Sequence, residues 1–365
     1  MRITWSNNHF FHLDKSLFLA LLILAALGLV VLYSAGGENM SIVMKQGIRF
    51  AVGFGILIVL AQIRTENLLP WIPWVYLTGL VLLIAVLFVG DTVNGSQRWL
   101  NLGLFRFQPS EIMKLAVPLM VAWYVADKRL PPSYSLIGVV LLIIMVPTVL
   151  IAKQPDLGTS LLVASSGMFV LFLAGLSWKL ILSAIAASPL IGWALWEFFL
   201  HSYQKARILT LLNPEGKSLT TGYHIVQSKI AIGSGGLYGK GWLNGTQSHL
   251  EFLPERSTDF IFAVYSEEFG LIGVLVLLGL YAFVLTRGMF IAIQAQGTFA
   301  RLIAGSLSLT FFVYIFVNMG MVSGFLPVVG VPLPLISYGG TSLVTMMASF
   351  GLLMGIHTHK RLLSG

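Results

Sequence analysis

Residues 16–34 read SLFLALLILAALGLVVLYS, a run without a charged side chain that decides what kind of fold the chain adopts. A helix of about 20 apolar residues spans the hydrocarbon core of a bilayer. Runs of similar length recur along the chain, and each predicts a membrane-spanning helix. The ten predicted spans are 16–34, 46–63, 71–89, 111–126, 135–152, 159–176, 178–199, 260–286, 299–323 and 331–356.

The composition leads to the same fold class. Of the 365 residues, 57% are hydrophobic and only 10% are charged, whereas about a quarter are charged in soluble domains. A membrane β-barrel would show strands of about ten alternating residues instead. We therefore predict an all-α, polytopic integral membrane protein. It is expected to form one domain over residues 1–365, with a long extracytoplasmic loop at 200–259 that contains an amphipathic helix.

The net charge of +8 is better explained by membrane orientation than by nucleic-acid binding. Lys and Arg are more frequent on the side of the predicted spans that holds both termini, and basic residues favour the cytoplasm. Both termini are therefore expected to be cytoplasmic, and the loop at 200–259 is expected to lie outside. Residues 1–15 lack the cleavage site of a signal peptide and are interpreted as a retained tail. The absence of cysteine excludes disulfides and thiol chemistry.

The loop between the third and fourth spans concentrates polar and aromatic residues. Asn94-Gly95 is a turn signal, and Arg98 and Trp99 follow it. Glu111 falls in the first turn of the fourth span, where the helix dipole favours an acid. Lys114 lies on the same helix face as Glu111, and its side chain is long enough to reach the membrane–water interface. The alternative is that both charges line an interior cavity.

Three further outer segments have open interpretations. Residues 153–156 form a short turn whose Lys153 and Asp156 belong to an ordinary loop or to the mouth of a cavity. Residues 222–232 have the spacing of an amphipathic helix lying on the membrane. Residues 233–242, with Lys240, form a flexible glycine-rich connector or a cradle for an anion.

Residues 324–342 combine prolines and glycines that a regular helix does not tolerate. Irregular backbone at membrane depth is stable only when it is buried in protein or lines a wet cavity. We expect a broken or re-entrant segment beside a site, with a plain outer loop as the alternative. Asn318, in the preceding span, is expected to form an interhelical hydrogen bond.

Residues 249–270 read HLEFLPERSTDFIFAVYSEEFG, where the longest polar region gives way to an apolar helix. A carboxylate at such a boundary is costly unless it faces water, a partner or a substrate. Asp259 is therefore one of several carboxylates on this side that could act as a general base; its structural alternative is an N-cap, a role that Thr258 or Ser257 would fill equally well. The other carboxylates are expected on a solvated face (Glu251, Glu255) or in internal polar contacts (Glu267, Glu268).

Acids and bases thus border apolar helices on one side of the membrane. This arrangement suits a substrate with an anionic head and a lipid tail. A carboxylate would accept the proton of a hydroxyl, and Lys or Arg would stabilise a phosphate leaving group. A lipid-head transporter or a proton-coupled carrier would also fit these residues.

Six motifs resemble those of the SEDS family (shape, elongation, division and sporulation), in the family's order and over nearly the whole chain. Their sequences are closer to those of the elongation branch of the family than to those of the division branch. They are Asn94-Gly-Ser-Gln-Arg-Trp, Phe107-Gln-Pro-Ser-Glu, Lys153-Gln-Pro-Asp-Leu-Gly-Thr, Gly222-Tyr-His with Gln227-Ser-Lys-Ile-Ala-Ile-Gly-Ser-Gly-Gly-Leu-Tyr-Gly-Lys-Gly, Phe252-Leu-Pro-Glu-Arg-Ser-Thr-Asp-Phe-Ile-Phe, and Pro334-Leu-Ile-Ser-Tyr-Gly-Gly-Thr-Ser.

The resemblance implies a peptidoglycan glycosyltransferase that polymerises lipid II into glycan strands at the outer face of the cytoplasmic membrane. It also implies a class B penicillin-binding protein as the transpeptidase partner. The family's essential acid corresponds to Asp259, and the Trp of its outer loop corresponds to Trp99. Ser257 stands where many members have His, which puts a neighbouring imidazole in doubt. A lipid II flippase and a non-catalytic scaffold of the elongation machinery are the alternatives.

In the mechanism that this resemblance implies, Asp259 deprotonates the hydroxyl that attacks the sugar, and undecaprenyl pyrophosphate leaves. Lys114, Lys153 and Arg207 rank first among the cations that would meet the pyrophosphate charge. No metal site is predicted, although a divalent cation could share that role. The predicted substrate-binding residues are Trp99, Arg98, Lys114, Glu111, Lys153, Arg207, Lys240 and Ser337.

Overall fold

The computed structural model describes residues 12–93, 96–101, 106–200, 202–212, 221–246 and 255–359. These ranges are mainly helical, and each predicted span corresponds to a helix whose ends are shifted from the predicted ones. The helices are α1 (Lys15–Ala35), α2 (Met40–Ala61), α3 (Thr65–Leu68), α4 (Ile72–Val89), α5 (Pro109–Ala126), α6 (Tyr134–Lys153), α7 (Leu157–Leu173), α8 (Trp178–Ala194), α9 (Ser202–Leu212), α10 (Thr221–Ser234), α11 (Ile261–Gln294), α12 (Thr298–Val322) and α13 (Thr341–Thr358).

The fold class is confirmed: this is an all-α, multi-pass membrane protein. Within the described ranges, eight helical stretches are long and apolar enough to cross a membrane. A single turn of 3-10 helix, Leu69–Trp71, joins α3 to α4, and the two helices count as one of these stretches, Thr65–Val89. The shorter helix α7 and the more polar α5 occupy the two remaining predicted spans.

The prediction for the last span was wrong at its start. A helix was expected from residue 331, but α13 begins only at Thr341. Pro332 and Pro334 have no backbone N–H and fix their φ angles, so residues 324–340 do not continue a helix. Val331, Leu333 and Leu335 are nevertheless buried in the bundle. The expectation of a broken segment packed inside the protein is therefore confirmed.

A small antiparallel sheet follows α4, and the sequence analysis did not predict it. Its strands are β1 (Asp91–Val93), β2 (Ser96–Asn101) and β3 (Arg106–Phe107), in the order β1-β2-β3. Asp91 pairs with Trp99, and Leu100 pairs with Phe107. The predicted turn at Asn94-Gly95 lies outside the described residues. The sheet holds Arg98 and Trp99 on a strand rather than on a loose loop.

Helix α12 lies at the centre of the bundle, because 72% of the residues in its most apolar stretch are buried. It packs against α5, α7, α10, α11 and α13. Helix α8 is described over its whole length and buries no residue; a π-helical turn, Leu195–Phe199, continues it. The predicted helix in the 200–259 loop is confirmed as α10, and Ser228 donates from it to the carbonyl of Val322 at 2.7 Å.

Candidate active site

Asp259 lies in the tight turn that leads into α11. The N–H groups of Thr258 and Phe260 both donate to the carbonyl of Glu255, at 3.1 and 3.3 Å. Phe260 is the N-cap residue of α11, and no side chain caps the helix. The alternative role of Asp259 as the N-cap is therefore wrong, and its carboxyl does not cap the start of α11.

The central helix and the broken segment hold the backbone of this turn. Asn318 donates through its side-chain amide to the carbonyls of Asp259, at 3.0 Å, and Val331, at 2.7 Å. An interhelical hydrogen bond was predicted for Asn318; its amide instead bonds α12 to two non-helical segments. Gly330 lies beside the carboxyl, because a Cβ atom built there would stand 3.4 Å from Oδ2 of Asp259. The absence of a side chain at Gly330 leaves space on that face of the carboxyl.

Ser337 joins the broken segment to the Asp259 turn. Its hydroxyl donates to the carbonyl of Thr258 at 2.6 Å and accepts from the N–H of Leu333 at 2.7 Å. The N–H of Tyr338 donates to the carbonyl of Ser257 at 2.8 Å. Ser337 was predicted to bind substrate. In the structure its hydroxyl is hydrogen-bonded to backbone groups of both segments.

The carboxyl of Asp259 has a perturbed acidity. Burial, followed by the nearby carboxylate of Glu255, raises the pKa of Asp259 to about 6, and Arg207 and Arg98 act in the opposite direction. Arg98 comes from β2 and Arg207 from α9, so two separate parts of the chain bring positive charge to the carboxyl. Both arginines belong to the set of cations predicted to meet the pyrophosphate charge.

Arg98 forms an ion pair with Asp156. Its guanidinium lies 3.6 Å from Oδ2 of Asp156, which accepts a hydrogen bond from Gln108 at 3.0 Å. Asp156 is the N-cap of α7 and accepts from the N–H of Thr159 at 3.2 Å. Through Asp156 and Gln108, Arg98 is linked to the starts of α5 and α7. Its charge also has a lowering effect on the pKa of Asp259. Asp156 is buried at this junction and is not part of an ordinary exposed loop.

Glu111 and Lys114 form an ion pair inside the bundle. Nζ of Lys114 lies 2.7 Å from Oε1 of Glu111, and each residue is only 5% exposed. Nζ also lies 5.3 Å from the ring centre of Tyr314. Lys114 borders a cavity of about 30 Å³ with Thr345 and Ser349, which is room for one water. Lys114 thus lines an interior cavity, as the alternative expected, and does not reach the membrane surface, while Glu111 lies in the first turn of α5, as also expected.

The other residues predicted to bind substrate lie in different surroundings. Lys153 ends α6 with an exposed side chain, and Trp99 is half-buried on β2. Lys240 lies 2.7 Å from Oε1 of Glu267, so the internal contact expected for Glu267 is observed. Glu251 lies outside the described residues. Within the described ranges, no three acidic or His side chains are grouped as a metal site requires.

The fold and the site define a multi-pass helical membrane protein that carries, at one end of its bundle, a carboxyl on which the charges of two arginines act. The family model described as "cell cycle protein", which covers FtsW, RodA and SpoVE, matches residues 14–362. The chain belongs to this family.

Three known proteins illustrate the similarity. Peptidoglycan glycosyltransferase MrdB of Escherichia coli is 54% identical over 353 residues, covering 97% of this chain and 95% of that protein. A chain from a structure on the coordination of polymerization and crosslinking by a peptidoglycan synthase complex has a TM-score of 0.82 at 30% identity, covering 94% of this chain and 97% of that one. The rod shape determining protein RodA of Thermus thermophilus has a TM-score of 0.72 at 29% identity, covering 96% and 98%.

Proposed function

We infer that this protein is a peptidoglycan glycosyltransferase that polymerises lipid II into glycan strands during cell-wall elongation. Its family membership and its similarity to a glycosyltransferase over nearly the full chain support the reaction. The observation that supports the chemistry is the half-buried carboxyl of Asp259, on whose pKa Arg98 and Arg207 have a lowering effect.

Asp259 is the proposed general base. The 4-hydroxyl of the GlcNAc of incoming lipid II gives its proton to this carboxylate. The hydroxyl oxygen then attacks the anomeric carbon of the terminal MurNAc of the growing chain and inverts its configuration. The bond from that carbon to the pyrophosphate oxygen breaks, and undecaprenyl pyrophosphate leaves. A pKa of about 6 suits this role, because the group is mostly ionised at neutral pH and still accepts a proton readily.

Arg98 and Arg207 are the proposed partners of the pyrophosphate. A guanidinium stays charged at all relevant pH values and binds phosphate oxygens through two parallel donors. Their positive charges already act on the carboxyl of Asp259 in the absence of substrate, and such preorganised charge stabilises a developing anion. Trp99, on the same strand as Arg98, would contact the sugar or lipid portion. Lys114 and Glu111 remain candidates deeper in the bundle, and Lys153 remains one at the end of α6.

We place the protein in the cytoplasmic (inner) membrane, with both termini in the cytoplasm and the Asp259 end outside. The distribution of Lys and Arg supports this orientation. Glycan polymerisation alone leaves strands uncrosslinked. We therefore propose a class B penicillin-binding protein as the transpeptidase partner, which is consistent with the relative solved in a complex that coordinates polymerization and crosslinking.

A divalent cation bound to the substrate pyrophosphate is an additional proposed charge partner. It would enter with the substrate, because the described residues offer no grouped ligands for a resident ion. Titrating magnesium into metal-free enzyme and lipid II tests this proposal. A rate that is independent of the ion would contradict it.

The decisive experiment is lipid II polymerisation by the purified full chain, with and without its transpeptidase partner. Asp259→Ala and Asp259→Asn are expected to lose glycan product by at least about a hundredfold, as general-base removal does. Each variant should retain the wild-type unfolding transition. Normal polymerisation by both folded variants would show that another group is the base.

A further inference from the structure

Helix α11 is interrupted close to the proposed base. Gly270 has φ 62° and ψ −164°, which is not helical, and it separates residues 261–269 from residues 271–294. Asp259 lies directly before the first of these parts. The first part is buried along most of its length, including Glu267 and Glu268 at its end. A break in a buried membrane helix leaves backbone groups that need other partners.

The glycine-rich segment 235–241 supplies those partners. A side chain at Gly235 or Gly239 would collide with the carbonyl of Ser266 or Glu268, so only glycine permits this approach. The segment both donates to and accepts from the two parts of α11. The bonds run from the N–H of Lys240 to the carbonyl of Glu267 (3.0 Å), Gly241 to Glu268 (3.0 Å), Leu271 to Gly236 (2.9 Å) and Ile272 to Leu237 (3.1 Å).

Side chains reinforce this backbone junction. Nζ of Lys240 donates to Oε1 of Glu267 at 2.7 Å and to the hydroxyl of Thr246 at 2.8 Å. Thr246 in turn donates to the same carboxylate oxygen at 3.0 Å. The side chain of Glu267 is 0% exposed, so its charge depends on nearby cations and donors. Ser34 of α1 donates to Glu268, which attaches the junction to a second span.

We propose that the Lys240–Glu267 pair is a positioning element for Asp259, an inference that rests on the proposed role of Asp259 as the base. The pair fixes the direction of residues 261–269 relative to the rest of α11. Asn318 and Ser337 hold the other side of the same turn. A rotation at Gly270 would therefore displace Asp259 from Arg98 and Arg207. Lys240 acts through Glu267 and does not bind pyrophosphate.

Charge-removal variants distinguish positioning from substrate binding. In steady-state lipid II polymerisation by the full chain, Lys240→Met should lower kcat by about tenfold to a hundredfold, since a misplaced catalytic group costs that much. KM for lipid II should change little. Adding Glu267→Gln removes the buried charge that Lys240 offset and keeps an acceptor for Thr246. The double variant should recover kcat to within about fivefold of wild type, because the two residues are coupled.

A lysine that binds pyrophosphate gives the opposite pattern. In that case Lys240→Met raises KM with kcat preserved, and the double variant is no better than the single one. Either result would overturn the proposal, as would wild-type kinetics in Lys240→Met. If Lys240→Met does not fold, the double variant and Lys240→Arg decide: near-normal kcat and KM in both support positioning, and a raised KM in the double variant contradicts it. Asp259→Asn, measured alongside, tests the base assignment separately.

Discussion

Ser337 donates to the backbone carbonyl of Thr258 at 2.6 Å, so the broken segment before α13 is bonded directly to the turn that contains Asp259. The two residues are 79 positions apart in sequence and lie in non-helical segments that α11 and α12 separate along the chain. The site is therefore formed by irregular backbone on both sides. Hydrogen bonds from single side chains, rather than helix packing alone, hold it together.

Ser337→Ala should weaken this junction. The change leaves the Leu333 N–H and the Thr258 carbonyl without their partner, which costs about 1–3 kcal/mol for buried groups. We expect a lower unfolding temperature and reduced lipid II polymerisation. Ser183→Ala is the matched control, because Ser183 is exposed on α8 and bonds only within its own helix. Equal effects of the two changes would contradict this role for Ser337.

The pH dependence of polymerisation should reflect the charges around Asp259. Its pKa of about 6 predicts that kcat/KM falls as the pH drops through that value, because the protonated carboxyl cannot accept a proton. Glu255→Gln removes a negative neighbour and should move the acidic limb to lower pH. Arg98→Gln removes a positive neighbour and should move the acidic limb to higher pH.

Glu66→Gln, in α3 at the opposite end of the bundle, is the control for these profiles and should leave the limb in place. The profiles are measured with saturating partner protein and constant ionic strength. Shifts of the same sign in the Glu255 and Arg98 variants would rule out direct electrostatic action on Asp259.

Lys114→Met should be strongly destabilising. It leaves Glu111 charged and buried, and breaking a buried ion pair from one side costs about 3–5 kcal/mol. The double variant with Glu111→Gln should recover most of that loss, since no unpaired charge remains. Thermal unfolding in detergent provides the measurement. Lys128→Met, at an exposed position just after the end of α5, should change stability by less than about 0.5 kcal/mol.

Asp14 should stabilise the end of the bundle opposite to Asp259. It accepts from Nε and Nη2 of Arg287, at 3.0 and 2.7 Å, and thereby links α1 to α11. Burial alone would raise the pKa of Asp14, but the bonds from Arg287, Ser16 and the Leu17 N–H outweigh burial and lower it from 3.8. The stabilisation is therefore present above that pH and is lost as the pH falls through the lowered value.

Asp14→Asn should accordingly cost about 2 kcal/mol at neutral pH, the range for hydrogen bonds to charged groups. The difference from wild type should shrink in acid below 3.8, where Asp14 of the unfolded chain is already protonated. Unfolding midpoints over a pH series test this. Asp127→Asn, an exposed acid at the same end, should give no such trend.

Apolar length predicted the spans well, because the bilayer requires a helix of fixed length wherever a run of such side chains occurs. The same reasoning failed at residues 331–340, where apolar side chains are buried on non-helical backbone. There the prolines, noted in the sequence, decided the local structure. The three-stranded sheet was missed because β1–β3 are short and carry no strong alternating pattern.

The sequence by itself determined that this is a multi-pass membrane protein of a recognisable family, and it singled out Asp259. Apolar run length and motif wording are local properties that can be read along the chain. Only the tertiary structure decided that the charges of Arg98 and Arg207 act on Asp259 and that Lys240 pairs with Glu267. The physical reason is that electrostatic energy depends on distance through space, and the path of the backbone between helices sets that distance.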